Sequence, residues 1–409
     1  MTTTQEQMPT AADCDVMVVG TGPAGLVTAL LATDAGLDVQ LVGPPVNTGD
    51  ARTTTLMLPA LETLRQLGID TAFDGEAAAL EVMRIIDGTK RLLRSPVATF
   101  HASEIGESHF GMNIPNATLN KTLFERVSAA NIVWHERMVE KYMPDDGGVS
   151  VITDKAGELR ARLVAAADGR NSAARAAVGL RVHERRYRQS AFVAMFSHEK
   201  GHGGISTEFH TETGPFTIVP LPGNRSSLVW VVRPDEAEML VSLPEADLAR
   251  RIEDRMDSML GKVAVEGHQQ IYPLASAVPS AFAAKRVALV GEAAHIFPPI
   301  GAQGLNLGIR DAVDLVNVAS AHRADPGSPA AMAAYDRARR PDILARTGAV
   351  SLLNQSLLSN LLPAQIARSA GLAALSGISP LRGFFMREGM RPGSGFSALM
   401  SSVRKQVRR

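Results

Sequence analysis

The stretch "DVMVVGTGPAGLVTALLATDAGLDVQLV", Asp15 to Val42, decides the fold. Asp15–Val19 reads as a short buried strand, and Gly20-x-Gly22-x-x-Gly25 follows it at once. Leu26 to Ala35 then reads as a helix stopped by Gly36, and Asp38–Val42 as a second strand. Strand, glycine turn, helix and strand make a βαβ unit. The glycines let the chain turn tightly, let a pyrophosphate reach the backbone and let the helix pack on the sheet. The helix start, with Pro23 and Ala24 between the glycines, places amide groups and a favourable dipole at a phosphate. The spacing predicts a dinucleotide site. One expected piece is missing: the second strand ends in Val42-Gly43-Pro44, where an acid for the adenosine ribose belongs.

Further along, "LVAAADGRNSAAR" (163–175) repeats the strand–turn–helix pattern, with Asp168 or Ser172 placed to cap the helix and Asp168 also placed to meet a ligand. A third such passage, "RVALVGEAAH" (286–295), is a buried strand running into a glycine turn. Gly291 ends that strand, and Glu292 can accept hydrogen bonds from a sugar-like hydroxyl chain. It continues into "HIFPPIGAQGLNLGIRD", His295 to Asp311, an unusual entry to a helix. After the pair Pro298 and Pro299, the run Gly301 to Asn306, including Gln303, Gly304 and Leu305, is expected to offer bare backbone and a helix dipole to a flat anion. A reduced flavin ring is an anion of that kind.

The remaining patterns set the architecture. The run 52–68 has helical spacing at Leu58, Leu61 and Leu64 and stops at Gly68. Residues 82–100 and 188–232 turn to short β-like runs with turn signals. The chain is therefore expected to leave a nucleotide-binding domain, make a sheet and return. The expected division is 13–75, 107–185 and 272–348 for a discontinuous α/β cofactor domain, 76–106 and 186–271 for a β-sheet substrate domain, and 349–409 for a helical tail. With 409 residues, 45% of them hydrophobic, a core for two domains is available. Zero formal net charge gives no support for nucleic-acid binding. A single cysteine, Cys14, excludes an internal disulfide and fits a reducing cytoplasm. The opening MTTTQEQMPTAAD does not read as a signal peptide, and no uninterrupted apolar run of about 18 residues predicts a membrane span.

These passages together resemble the group A flavoprotein monooxygenases of the p-hydroxybenzoate hydroxylase type. Within that group, "HIFPPIGAQGLNLGIRDAVDL" is similar to the signature of the ubiquinone-biosynthesis ring hydroxylases. "ARTTTLMLPALETLRQLGI", "IPNATLNKTL", "GPFTIVPLPGNRSSLVW" and "ADGRNSAAR" fall where that family has related segments, so the likeness runs from about Asp15 to Arg340. The resemblance implies FAD on Gly20, Gly22 and Gly25, with contacts from Arg52, Asn120 and Asp168. It also implies oxygen delivered from O2 to a phenol ring through a flavin hydroperoxide, with NAD(P)H or a separate reductase as electron donor. Two departures stand out: Glu292 replaces the more usual Asp, one methylene shorter, and Gly43 replaces the ribose acid. A phenol also needs a base or relay, which the motifs do not identify. His295 is placed by the motif for a structural or a chemical role, whereas lone histidines such as His202 and His210 are ordinarily surface or core residues.

The tail admits two readings. Leu352, Leu353, Leu357, Leu358, Leu361, Leu362 and Ile366 fall on roughly one helix face, suited to packing on the enzyme body or on a second copy in a homodimer. Residues 381–409 hold seven basic residues against one acid, a net of +6, suited to an acidic membrane surface or a complex of biosynthetic partners. A lipophilic phenol or quinone precursor fits either arrangement. Other functions on this fold are a flavin hydroxylase of a different aromatic compound, a halogenase, an isoprenoid reductase and a non-catalytic prenyl carrier. With only Trp134 and Trp230, the chain lacks the W-x-W-x-I-P segment of halogenases, and a carrier has no use for a flavin-facing loop.

Overall fold

A computed structural model describes residues 12–50, 52–69, 73–89, 94–155, 157–298, 303–358, 362–391 and 394. At its centre are four neighbouring parallel strands in the order Val287–Leu289, Gly157–Ala166, Cys14–Val19 and Val39–Gly43, extended by Val133–Glu136 at one edge. The strand Cys14–Val19 is buried almost throughout, as a strand covered on both faces must be. The helix Pro23–Asp34 behind it is apolar all round, because it lies between this sheet and the helices Asn116–Ala129 and Gln303–Ala321. It ends at Gly36, which takes the positive φ of +74° that a glycine stop supplies. Cys14 is buried here too, and burial followed by the charge of Asp38 pushes its thiol up to about 12, so it is an inert core residue.

The register aligns the ends of three adjacent strands: Val19 is beside Ala166, and Ala166 beside Leu289. Each of the three glycine-containing turns starts within a few residues of one of these ends. All three therefore open at the same edge of the sheet, where ligands of such folds sit.

A second sheet of seven strands lies apart from the first, in the order Val263–Pro279, Val182–His198, Arg225–Val232, Pro215–Leu221, Ile205–His210, Val82–Asp87 and Ala98–His101. Helices Pro234–Ser242 and Glu245–Arg255 cover one of its faces. The positions 185/186 and 271/272, where a domain division was expected, fall inside two 17-residue strands. These strands pair with each other near both ends, with register shifts between Arg186 and Ser190 and between Val193 and Met195, and so carry the chain between the two sheets without a linker.

One local reading differs from the sequence expectation. Thr53–Met57 is a strand, and the helix begins only at Leu58. Three consecutive β-branched threonines favour extended backbone, and they pair with Gly111–Pro115 in a small three-stranded sheet. In the tail the described residues form the helices Pro329–Leu358, Leu362–Gly377 and Ser379–Met390. The side chains of residues 349–368, which include most of the expected leucine face, lie outside the described residues. Further on, Leu372, Leu375, Met386 and Met390 pack against Phe100, Ile105 and Phe110, so this part of the tail belongs to the enzyme body.

Candidate active site

The three glycines of the first motif do different work. Gly20 has φ +117°, and a Cβ there would stand 2.1 Å from the Ala167 carbonyl oxygen. A Cβ on Gly25 would meet the Gly20 oxygen at 2.1 Å. Both are glycine because the protein's own backbone leaves no room. Gly22 is the opposite case: its backbone is extended (φ −72°) and nothing lies within 4 Å of where a Cβ would be. It caps the helix Pro23–Asp34 without any side-chain hydrogen bond. Open space in front of uncapped helix amides is the cradle an incoming phosphate requires. Ala24 serves packing instead, since its methyl would lie 3.1 Å from a Cβ on either Gly291 or Gly308.

The missing ribose acid has a steric cause. A Cβ on Gly43 would stand 2.9 Å from the Thr21 methyl, and the Thr21 hydroxyl is fixed on the Pro44 carbonyl at 2.7 Å. Polar groups gather nearby instead. The Asn120 amide donates to the Asn47 carbonyl at 2.6 Å, while its Oδ1 is buried without a partner. Arg52 is paired with Asp50, which also accepts from the Asn116 amide at 2.9 Å. Against the cost of burial, these hydrogen bonds hold the Asp50 carboxyl down at about 2. Arg52 also lies 5.8 Å from the centre of the Tyr272 ring and feels the charge of Glu292, so it joins the first motif's side of the cleft to the third.

Asp168 does cap the next helix, as its Oδ2 accepts from the Ala174 amide at 3.0 Å, and the Ser172 hydroxyl accepts from Arg175 N. Its Oδ1 is buried and has no partner. Tyr142 donates to Asp168 at 3.4 Å, and burial followed by the Asp168 charge raises its phenol far above the ordinary value. Arg175 joins the second motif to the third by donating to the Arg170 and Ala293 carbonyls at 2.9 and 2.8 Å.

In the third motif, Gly291 takes φ +63° and Glu292 stands exposed. Asp311 anchors this turn from the helix behind it. Its Oδ2 accepts from Gly291 N at 2.9 Å and lies 2.7 Å from His295 Nε2, while Oδ1 accepts from Arg339 at 2.7 Å. Burial opposes its ionisation, yet the charges of His295 and Arg339 and these hydrogen bonds hold the carboxyl below its ordinary value. His295 is thus buried in a structural clamp. The next residues are fixed to the long strand by paired backbone bonds between Ile296 and Ala277, and Pro298 is buried. Pro299 and Gly301 lie outside the described residues, as does the side chain of Gln303. Gly304 is exposed with nothing within 4 Å of a Cβ, and Leu305 packs on the core. The Asn306 amide donates to the Thr55 carbonyl and accepts from Met57 N, both at 2.8 Å. It ties the loop to the strand Thr53–Met57.

The site therefore has open space over two helix starts and orphaned buried oxygens on Asn120 and Asp168. That fits a long, hydroxyl-rich dinucleotide ending in a flat ring. The FAD binding domain family matches residues 13–347. The chain belongs to this family of FAD-dependent monooxygenases. The ubiquinone hydroxylase UbiL of Rhodospirillum rubrum is 32% identical over 388 residues, which are 92% of this chain and 89% of that protein. The 3-demethoxyubiquinol 3-hydroxylase of Escherichia coli is 27% identical over 88% of this chain and 94% of its own. Among solved structures, p-nitrophenol 4-monooxygenase of Pseudomonas putida superposes with a TM-score of 0.74 at 21% identity, over 92% of this chain and 96% of that one. HpxO of Klebsiella pneumoniae, complexed with FAD and uric acid, also reaches 0.74, at 17% identity over 93% and 97% of the two chains. These two share the fold, an FAD-binding α/β domain with a second sheet.

Members of this family use bound FAD to activate oxygen, and the rest of the site is the protein's contribution. In this chain Gly22 and the first helical turn would face the pyrophosphate, and Arg52, Asn120 and Asp168 the remainder of the dinucleotide. Glu292 would face the ribityl chain, and the start of the helix Gln303–Ala321 the ring. Sequence reasoning missed Asp311, Arg175 and Tyr142. The signal for Asp311 was available: it closes the quoted motif sixteen residues after His295, inside a helix, where a buried acid needs partners.

Proposed function

We propose that the protein hydroxylates the ring of a prenylated phenol, a precursor in ubiquinone biosynthesis, using FAD, O2 and electrons from NAD(P)H or a separate reductase. The observation that carries this reading is the near full-length likeness to a ubiquinone hydroxylase, at 32% identity over 89% of that protein. A half-open apolar sheet face supports it, with Val193, Met195, Val219 and Val229 on the side away from the covering helices. Burying an isoprenoid tail is worth about 0.8 kcal/mol per methylene-sized unit, a gain that a small phenol cannot make.

Such a substrate is held in a bilayer, and the reading places the protein at the cytoplasmic face of the inner membrane. Among the described residues no helix is long and apolar enough to cross a membrane. Val97 just before the strand Ala98–His101, Ile378 between the last two helices and Phe385 on the last helix are each about half exposed, and the Ser376 hydroxyl donates to the Val97 carbonyl. This apolar patch and the basic end of the chain support contact with acidic lipid. Co-sedimentation with acidic but not neutral vesicles, weakened by Phe385→Ser, is the expected result. Cells lacking the gene should accumulate a prenylated intermediate short of one hydroxyl. Normal quinone levels in those cells, with full turnover on soluble p-hydroxybenzoate, would overturn the reading.

A further inference from the structure

The two faces of the seven-stranded sheet differ in kind. Phe192, Phe216, Leu228 and Trp230 are buried under the two covering helices. The residues alternating with them, Val193, Val229, Thr217 and Glu208, are only half-buried, and the registers put these four in one row across four neighbouring strands. Valine and threonine are ordinary on such a surface, whereas a carboxylate in mid-sheet needs a reason. On the same face, two residues further along the strand, is His210, whose Nε2 lies 2.8 Å from Glu208 Oε1. The Thr217 hydroxyl donates to Glu208 Oε2 at 3.3 Å. His210 is 3% exposed, and its Nδ1 is buried without a partner. Beside it on the neighbouring strand, Asp87 is engaged by the Thr89 amide and hydroxyl and by the Ser95 amide.

This face is joined to the candidate cofactor site. Ser227, on the same side, receives the Asn113 amide at 3.3 Å, and Asn113 belongs to the strand paired with Thr53–Met57. That strand is in turn held by Asn306 of the flavin-facing helix. The carboxylate thus stands on a half-open apolar wall joined through two strands to the ring-binding loop.

We propose that Glu208 is the acceptor of the phenolic proton, with His210 as the residue that positions its carboxylate. The proposal rests on the phenol-hydroxylase reading above. In the step, the phenol O–H bond breaks, its electron pair stays on the ring oxygen and the proton joins a Glu208 carboxylate oxygen. Negative charge moves from the carboxylate to the ring, which becomes the stronger nucleophile, and no oxidant takes part in this transfer.

The test uses the flavin-loaded enzyme with 2-prenylphenol, a ring-fluorinated and therefore more acidic analogue, and the methyl ether of 2-prenylphenol. Glu208→Gln should keep its flavin and still consume NAD(P)H, yet form product slower by about 10²- to 10⁴-fold and release peroxide instead. The deficit should shrink at least tenfold, on the order of one strong hydrogen bond, with the fluorinated phenol, which needs less help to lose its proton. Titrations followed by flavin absorbance add a readout free of turnover: the wild type should prefer the phenol over its ether, and Glu208→Leu should lose that preference. His210→Asn should fall between wild type and Glu208→Gln in product formed per NAD(P)H. An unchanged rate in Glu208→Gln, or an equal deficit with both phenols, overturns the proposal. A wild-type protein that makes no product from either phenol removes the hydroxylase reading, and this proposal with it.

Discussion

Gly22 and Gly20 stand two residues apart, and their substitution should have opposite consequences. Gly22 has ordinary extended backbone and empty space before it, so Gly22→Val should lose flavin while the melting temperature of the flavin-free protein stays close to that of flavin-free wild type. Gly20→Val drives a Cβ into the Ala167 carbonyl at positive φ, so it should destabilise the fold itself by about 2 kcal/mol or more. Flavin absorbance and a thermal melt on each variant separate the two. Gly304→Val belongs with Gly22, since the chain leaves its side-chain direction open. Full flavin content and turnover in that variant would make the loop a plain connection. At this scale the glycine spacing was readable from sequence, but its division of labour was not. Which glycine faces backbone and which faces a ligand depends on the neighbouring strand that supplies Ala167. The empty acid position at Gly43 was visible too, whereas its cause, the Thr21 methyl, required the packed turn.

The helix Gln303–Ala321 carries more than a dipole. Through Asp311 it fixes the turn that presents Glu292, and Arg339, only 1% exposed, completes the clamp. Asp311→Asn removes one of the three carboxylates around that buried guanidinium, Asp314 and Asp342 remaining, and leaves the Gly291 and His295 donors with a weaker acceptor, so it should cost about 1–3 kcal/mol. The pH dependence has a definite sign. A carboxyl held below its ordinary value of 3.8 contributes stability that is present above that pH and is lost as pH falls through the lower, folded value. Thermal melts of the wild type should therefore fall on acidification below about pH 4, and Asp311→Asn should lose part of that slope. An identical slope in both would mean that the acid sensitivity lies elsewhere. Element boundaries were partly legible. Leucine spacing located the helix Leu58–Gln66, but it masked the threonine strand before it. In Ile205–His210, period-two alternation places Glu208 and His210 on one face, a pattern that reading His210 as a lone histidine passes over.

At the scale of the whole molecule, three turns separated by more than a hundred residues meet because their strands are neighbours in one parallel sheet. That convergence was inferable from three repeats of strand–glycine–helix. The path of the chain between the sheets was not, because two long strands run across the positions where the division was expected. The C-terminal helices are part of the body, covering Phe100 and Phe110, so a chain ending at residue 361 should melt at lower temperature and aggregate. Soluble, fully stable truncated protein would mean that those contacts carry little weight. In the proposed function FAD, seated where the three strand ends meet, serves to put one oxygen atom from O2 onto a prenylated phenol. Turnover of the purified yellow protein with NAD(P)H, a competent reductase and heavy-isotope O2 tests it most directly, with the product read by mass spectrometry. One labelled oxygen on the ring is the expected result. A colourless protein that cannot be reconstituted with FAD, or a ring product without the label, would contradict it.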